Sequence, residues 1–258
     1  MNLTNYIHQR LETRRILLMT HAIIGYPSLE ANWQMLEIMQ EAGVDMVELQ
    51  MPFSEPVADG PVFARANQEA IKRGIKLEEY FQFMQRAAAA FDFPLLMMGY
   101  YNTVFRMGHQ AFCQRLQECG AAGFIVPDLP FDEYGDLEAA SNACQLSPIL
   151  LMTPTNTVRR LEEIGERAAG LVYVVARKGV TGQRTDLDQG LDAFLGRCRR
   201  ATQLPLALGF GLGNAADMRR LQGQVEMGIV GSALLEAWDS GGAGQYRDLL
   251  QELGQGRG

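Results

Sequence analysis

The chain has 258 residues, 47% of them apolar and 21% charged, which suits a globular protein with a substantial core, as one large barrel or two small domains. Its net charge of −7 argues against nucleic acid or an anionic membrane as the main partner, since both reward clustered Lys and Arg. Cys113, Cys119, Cys144 and Cys198 form no C-x-x-C pair and do not cluster with His8, His21 or His109, so no metal site is expected. With neither a signal peptide nor an apolar run near 18 residues, a cytoplasmic location with reduced thiols is expected.

Apolar strand-like runs alternate with helix-period segments along the whole sequence. Strands are predicted at 16–24, 44–50, 94–99, 123–126, 148–152, 171–176, 205–209 and 228–231. Helices are predicted at 29–42, 77–90, 109–119, 133–144, 157–168, 187–201, 215–222 and 233–253, with a further helix starting at Gly60-Pro61. Asp132 and Asn214 stand where N-caps belong, and Gly43, Gly120 and Gly170 stand where helices should end. Strict alternation implies parallel strands joined by crossover helices, and eight such units fit a closed α/β barrel, the (β/α)8 or TIM barrel, better than an open sheet. The first strand runs into Gly25-Tyr26-Pro27 and carries no G-x-G-x-x-G, so a dinucleotide-binding fold lacks its fingerprint. The expected organisation is one barrel domain over 1–258, with 254–258 as a flexible Gly-rich tail.

The second strand holds Glu48 among Val47, Leu49 and Met51, and a loop stiffened by Pro52, Pro56 and Pro61 brings in a second acid, Asp59, 11 residues on. Burying a carboxylate costs several kcal/mol unless it is paired, protonated or chemically employed. A lone strand acid is as readily structural as catalytic; two at one strand end, able to face one cavity, suit acid–base chemistry. After the sixth strand comes Arg177-Lys178-Gly179-Val180-Thr181-Gly182, a loop that reads equally as plain and solvated or as a lid. Glycine-rich turns after the seventh and eighth strands, Gly209-Phe210-Gly211 and Gly231-Ser232, each open a helix, and together they make the phosphate site common in such barrels.

The run Glu48, Pro52, Phe53, Ser54, Pro56, Ala58, Asp59, Gly60 and Pro61 resembles the signature of the tryptophan synthase alpha chain family, and matches continue in order over nearly the whole chain. Among them are Gly25-Tyr26-Pro27, Tyr100-Tyr101-Asn102, Pro127-Asp128-Leu129-Pro130 and the Gly179 to Gly182 loop. The resemblance implies a (β/α)8 lyase that performs retro-aldol cleavage of indole-3-glycerol phosphate to indole and glyceraldehyde 3-phosphate in tryptophan biosynthesis. It assigns the acid–base steps to Glu48 and the indole ring N–H to Asp59. Substrate contacts fall to Tyr100, Tyr173, Thr181, Gly182, Phe210, Gly211, Gly231 and Ser232, with Thr181 reaching Asp59 on loop closure. No metal or organic cofactor is implied here; pyridoxal phosphate belongs to a partner beta chain, expected in an α2β2 assembly with the 53–59 loop at the contact. Alternatives are an alpha-like barrel acting on another phosphorylated substrate, or a subunit that mainly activates a beta-type partner.

The sequence departs from the family at Gln50, usually Gly, at Glu55, usually Asp, and at His21, usually an aromatic that walls the indole pocket. Strand alternation puts Gln50 on the face of Glu48. Either His21 donates to a loop carbonyl while Gln50 bends to solvent, or Gln50 hydrogen-bonds Glu48 and narrows the site.

Overall fold

The computed structural model describes residues 2–175, 189–209 and 211–258. The strands are β1 (Leu17–Ile23), β2 (Met46–Gln50), β3 (Leu95–Met98), β4 (Gly123–Ile125), β5 (Ser147–Pro148), β6 (Leu150–Met152), β7 (Val172–Val175), β8 (Leu206–Gly209) and β9 (Met227–Val230). They pair in the order β5-β4-β3-β2-β1-β9-β8-β7-β6, every neighbour parallel. β5 and β6 are one strand interrupted at Ile149, whose N–H still bonds the Phe124 carbonyl at 2.9 Å. That strand pairs with β4 on one side and β7 on the other, so the sheet closes into the expected barrel.

Helices α2 (Leu29–Glu41), α4 (Leu77–Ala90), α6 (His109–Glu118), α7 (Gly135–Ala143), α8 (Val158–Arg167), α9 (Gln189–Ala201), α10 (Ala215–Leu221) and α11 (Ser232–Gln255) fall close to the predicted segments. α3 (Pro61–Lys72) starts at Pro61, where the missing N–H is no loss. Asn214 caps α10 by accepting from Asp217 N. Asp132 does not cap α7: it lies within a short 3-10 turn, Phe131–Glu133, and pairs with Arg160 at 2.9 Å. Two helices were not anticipated, α1 (Leu3–Leu11) and α5 (Tyr101–Met107). α1 is too short and polar to declare itself, with only Leu3 and Ile7 buried; it docks them on the apolar cluster inside the barrel.

Inside the barrel, Leu17, Met19, Met46, Leu96, Ile125, Ile149, Ala207, Met227 and Ile229 form one buried cluster. A second, larger cluster fills the space between strands and helices with the opposite faces of the same strands, among them Leu18, Val47, Leu49, Val172 and Leu208. Strands buried on both sides read as continuous apolar runs, which is why they were legible. The register pairs Met19 with Met46, and two residues on, toward the C-terminal mouth, pairs His21 with Glu48. The apolar filling therefore gives way to polar groups one inward-facing step above the two methionines.

The opposite end is held by Asp45, buried at the start of β2. Its Oδ1 accepts from Arg10 Nε at 3.0 Å and from Arg14, and its Oδ2 accepts from Leu18 N and Arg257 Nη1, each at 2.9 Å. Arg257 also donates to the carbonyls of Ala42 and Gly43. The segment 254–258 is therefore not the flexible tail its glycines suggest: α11 runs to Gln255, and one guanidinium anchors the end of the chain at the base of the barrel.

Candidate active site

Parallel neighbours in register present their side chains to the same side of the sheet, so β1 and β2 place His21, Glu48 and Gln50 inward together. All three are buried: His21 is 8% exposed, Glu48 1% and Gln50 0%. His21 Nδ1 lies 3.0 Å from Glu48 Oε2, and His21 Nε2 lies 2.7 Å from Gln50 Oε1. Gln50 Nε2 donates onward to Asp59 Oδ2 at 2.7 Å and to Asn67 Oδ1 at 3.3 Å. Asn67, on α3, donates to Asp59 Oδ2 at 3.1 Å and to the Phe63 carbonyl at 2.8 Å, and accepts from Phe53 N at 3.0 Å. Both anticipated acids thus belong to one buried chain, Glu48–His21–Gln50–Asp59, tied to α3 by Asn67.

This corrects both readings of the departures. Gln50 is buried and its hydrogen bonds go to His21, Asp59 and Asn67, not to Glu48. Among the described residues His21 meets no loop carbonyl and instead takes Glu48 and Gln50 as its partners, with its ring stacked on Phe63 at 4.5 Å between centroids and 28° between planes. An aromatic wall is kept, with a cationic or neutral imidazole in it according to pH.

Glu48, Asp59 and His21 line a cavity of about 460 Å³ at the C-terminal mouth, within the 300–1,000 Å³ typical of small-molecule sites. Its walls are mainly apolar, from Phe63, Met98, Ile125, Leu151, Tyr173 and Ile229, and Gly211, Gly231 and Ser232 line it as well. Glu48 Oε1 has no hydrogen-bond partner among the described residues. A buried carboxylate oxygen without a donor is costly, and here it belongs to a side chain that lines the cavity.

Tyr100 does not line this cavity. Its hydroxyl accepts from Ala58 N at 3.1 Å, and its ring stacks on Phe53 at 4.9 Å. Tyr100 therefore holds the loop that carries Asp59 from outside the cavity. Tyr173 lines the cavity as expected, and burial, then the charges of Glu48 and Asp59, raise its hydroxyl well above the ordinary range, so it stays a neutral phenol. Gly231 follows β9, and α11 begins at Ser232. A Cβ on Gly231 would meet Phe63 Cζ at 2.7 Å, so any larger residue must push the Phe63 ring aside. Gly211 has φ of +61°, a left-handed conformation that glycine adopts without strain. Thr181, Gly182 and Phe210, and the lid expected around them, lie outside the described residues.

Burial also raises Asp59 above the usual carboxylate range, against the opposing pull of Gln50, His21, Tyr100 and Asn67. For His21 burial favours the neutral ring, yet the hydrogen bond and charge of Glu48, with Asp59 and Gln50 behind, outweigh it and hold the imidazole above its ordinary value. Phe63 and Asn67 were missed in the sequence. The signal was the i, i+3, i+4, i+7 spacing of Phe63, Ala66, Asn67 and Ala70, which puts one amide on the buried face of α3.

A sequence profile of the tryptophan synthase alpha chain matches residues 7–254. The chain is 45% identical over 247 residues to the tryptophan synthase alpha chain of Syntrophotalea carbinolica, covering 96% of this chain and 98% of that one. The chain belongs to the tryptophan synthase alpha chain family. A second relative, from Desulfotalea psychrophila, is 42% identical over 242 residues, covering 94% and 95% of the two chains. Among solved structures, tryptophan synthase of Mycobacterium tuberculosis matches with a TM-score of 0.91 at 31% identity, covering 98% of this chain and 97% of that one. A chain from Aquifex aeolicus matches with a TM-score of 0.92 at 31% identity, covering 100% and 99%. The family's reaction is the cleavage of indole-3-glycerol phosphate in tryptophan biosynthesis, and this chain is a lyase of that kind.

Proposed function

We propose that Glu48 and Asp59 carry the cleavage, Glu48 as the acid and base and Asp59 as the anchor of the indole N–H. The observation that supports this reading is Glu48 Oε1, which has no hydrogen-bond partner among the described residues, in a cavity that Asp59 also lines. The retro-aldol step needs a proton at indole C3, charge stabilisation at the ring N–H, and removal of the proton from the glycerol hydroxyl next to the ring. Glu48 Oε1 serves the first and the last in turn, and Asp59 serves the second. The apolar wall of Phe63, Met98, Ile125, Leu151 and Tyr173 takes the flat ring. The phosphate lies at Gly211, Gly231 and Ser232, where backbone N–H groups and the start of α11 favour an anion without any need for a basic surface. Thr181, Gly182 and Phe210 join them by the family pattern.

A beta chain docks over the 53–59 loop, where Val57 is 69% exposed, in an α2β2 assembly. Structures of this likeness include a tryptophan synthase complex from Pyrococcus furiosus, at 25% identity. The test is to supply the purified protein with indole-3-glycerol phosphate, alone and with a beta chain, and to measure indole and glyceraldehyde 3-phosphate. Equal molar release supports the reading, and faster release with the beta chain supports the docking. Absence of both products under both conditions overturns it.

A further inference from the structure

The direction of each hydrogen bond in the buried chain can be settled from its fixed end. Asn67 meets two backbone groups: the Phe63 carbonyl can only accept and the Phe53 N–H can only donate, so Nδ2 faces the first and Oδ1 the second. Gln50 then meets two acceptors, Asn67 Oδ1 and Asp59 Oδ2, and presents Nε2 to both. Its Oε1 is left facing His21 Nε2 at 2.7 Å, so that nitrogen carries a proton. The other ring nitrogen, Nδ1, lies 3.0 Å from Glu48 Oε2 and donates to it whenever that oxygen carries no proton, whether Glu48 is ionised or holds its proton on Oε1. Both ring nitrogens are donors only in the imidazolium.

We propose that His21 is a positioning residue of the cleavage reaction: an imidazolium, locked by Gln50, that stabilises the Glu48 carboxylate each time Glu48 gives up its proton. The proposal rests on the role of Glu48 given above. A proton leaves Glu48 Oε1 for indole C3. The carbon–carbon bond then breaks, its electron pair returns to the ring, and the glycerol hydroxyl loses its proton to the same Oε1. His21 gains and loses no proton; its charge stands beside Oε2 while the carboxylate is ionised, and it keeps Oε2 occupied so that Oε1 does the exchange.

The groups acting on His21 from the surrounding elements fit this role. Glu48 comes from β2 and Asp59 from the loop after it, both acidic; Tyr173 lines the same cavity from β7 as a neutral phenol. α3 supplies the uncharged Phe63 face, and Gly231 after β9 supplies only backbone. Among the described residues no Lys or Arg lines the cavity, so the imidazolium is the cation these acids meet there. Gln50 matters because it removes the alternative: a neutral ring with Nδ1–H toward Glu48 would set a bare Nε2 against the Gln50 carbonyl.

The test is ring-nitrogen NMR on protein labelled with 15N-histidine, without substrate. The chain has three histidines, so the His21 signals are those lost in His21→Phe, which keeps a ring stacked on Phe63. Both His21 nitrogens should report N–H at pH 7, with a titration midpoint above the ordinary histidine range. In Gln50→Met the midpoint should fall, and Nε2 should be the nitrogen that loses its proton. In the kinetic arm, indole release by the unmodified protein should decline on the alkaline side with the His21 midpoint. His21→Phe should lose that limb and turn over about tenfold to a hundredfold more slowly, the scale of a lost hydrogen bond to a charged group. A neutral His21 at pH 7 overturns the proposal, its signals being assigned equally as those kept when His8 and His109, both outside the cavity, are replaced by Gln, and so does a His21→Phe profile of unchanged shape and rate. Should the unmodified protein release no indole, the assigned function fails, while the NMR titration still decides the state of His21.

Discussion

Replacing Gly231 with Ala tests the phosphate placement and its link to the acids together. The new Cβ would stand 2.7 Å from Phe63 Cζ, 3.1 Å from Phe63 Cε2 and 3.3 Å from His21 Cβ. Ordinary contact begins at 3.4 Å, so the Phe63 ring must retreat by about 0.7 Å, the difference between 3.4 and 2.7 Å. That ring is stacked on His21, and its residue's carbonyl accepts from Asn67, so the shift reaches the polar chain. Overpacking of this kind costs about 1–3 kcal/mol, and Gly231, with φ of −123°, lies outside the left-handed region. On the phosphate placement proposed above, the methyl also stands beside the backbone N–H groups offered to the anion. Losing one such bond to a dianion raises KM about tenfold or more. Urea unfolding should show the lower stability, and steady-state kinetics with indole-3-glycerol phosphate should show the raised KM, while the affinity for free indole changes less. Equal losses for both ligands would refute the phosphate assignment, and unchanged stability would refute the packing argument.

Asp45→Ala should destabilise the barrel by about 3–5 kcal/mol in urea unfolding, since Arg257 loses its buried partner and Arg10 and Arg14 lose theirs; a cost below about 1 kcal/mol would show the cluster to be incidental. Asp59→Asn should fold normally and lose about 10²–10³ in turnover, because an amide cannot balance positive charge at the ring N–H; turnover near that of the unmodified protein would remove Asp59 from the mechanism. The same variant makes a prediction about pH and stability. Burial raises Asp59, so the native state holds its proton more tightly than the unfolded chain does. The resulting penalty is absent below the ordinary aspartate pKa and complete above the raised one. The melting temperature of Asp59→Asn minus that of the unmodified protein should therefore increase as pH rises through that window, and a difference independent of pH would contradict the shift.

The barrel was legible because its strands are buried on both faces and its crossovers are helical, which leaves continuous apolar runs at a regular pitch. Glu48 and Asp59 were legible because an acid in such a run is expensive. The polar chain between them was not. Alternation along β2 puts Gln50 on the face of Glu48, but the register of β1 against β2 is fixed only in three dimensions, after α2 has folded between them. The partner of Glu48 is therefore His21, from 27 residues earlier, and Gln50 leans away to His21 and Asp59. The tail fails for a related reason: glycine content reports the freedom of 254–258, while Arg257 and its distant partner Asp45 decide where the segment rests. Asp132 misleads because a cap is a local inference, and Arg160, 28 residues on, outbids the helix end.

Glu48→Gln isolates the proton transfer assigned to Glu48. The amide keeps the shape of the side chain and can still accept from His21 Nδ1, but it has no proton to give at the position of Oε1. Indole release from indole-3-glycerol phosphate, measured for both proteins with and without a beta chain, should fall by about 10³ in the variant while its circular dichroism and melting temperature show an intact barrel. A folded Glu48→Gln protein that keeps most of its turnover would contradict the account.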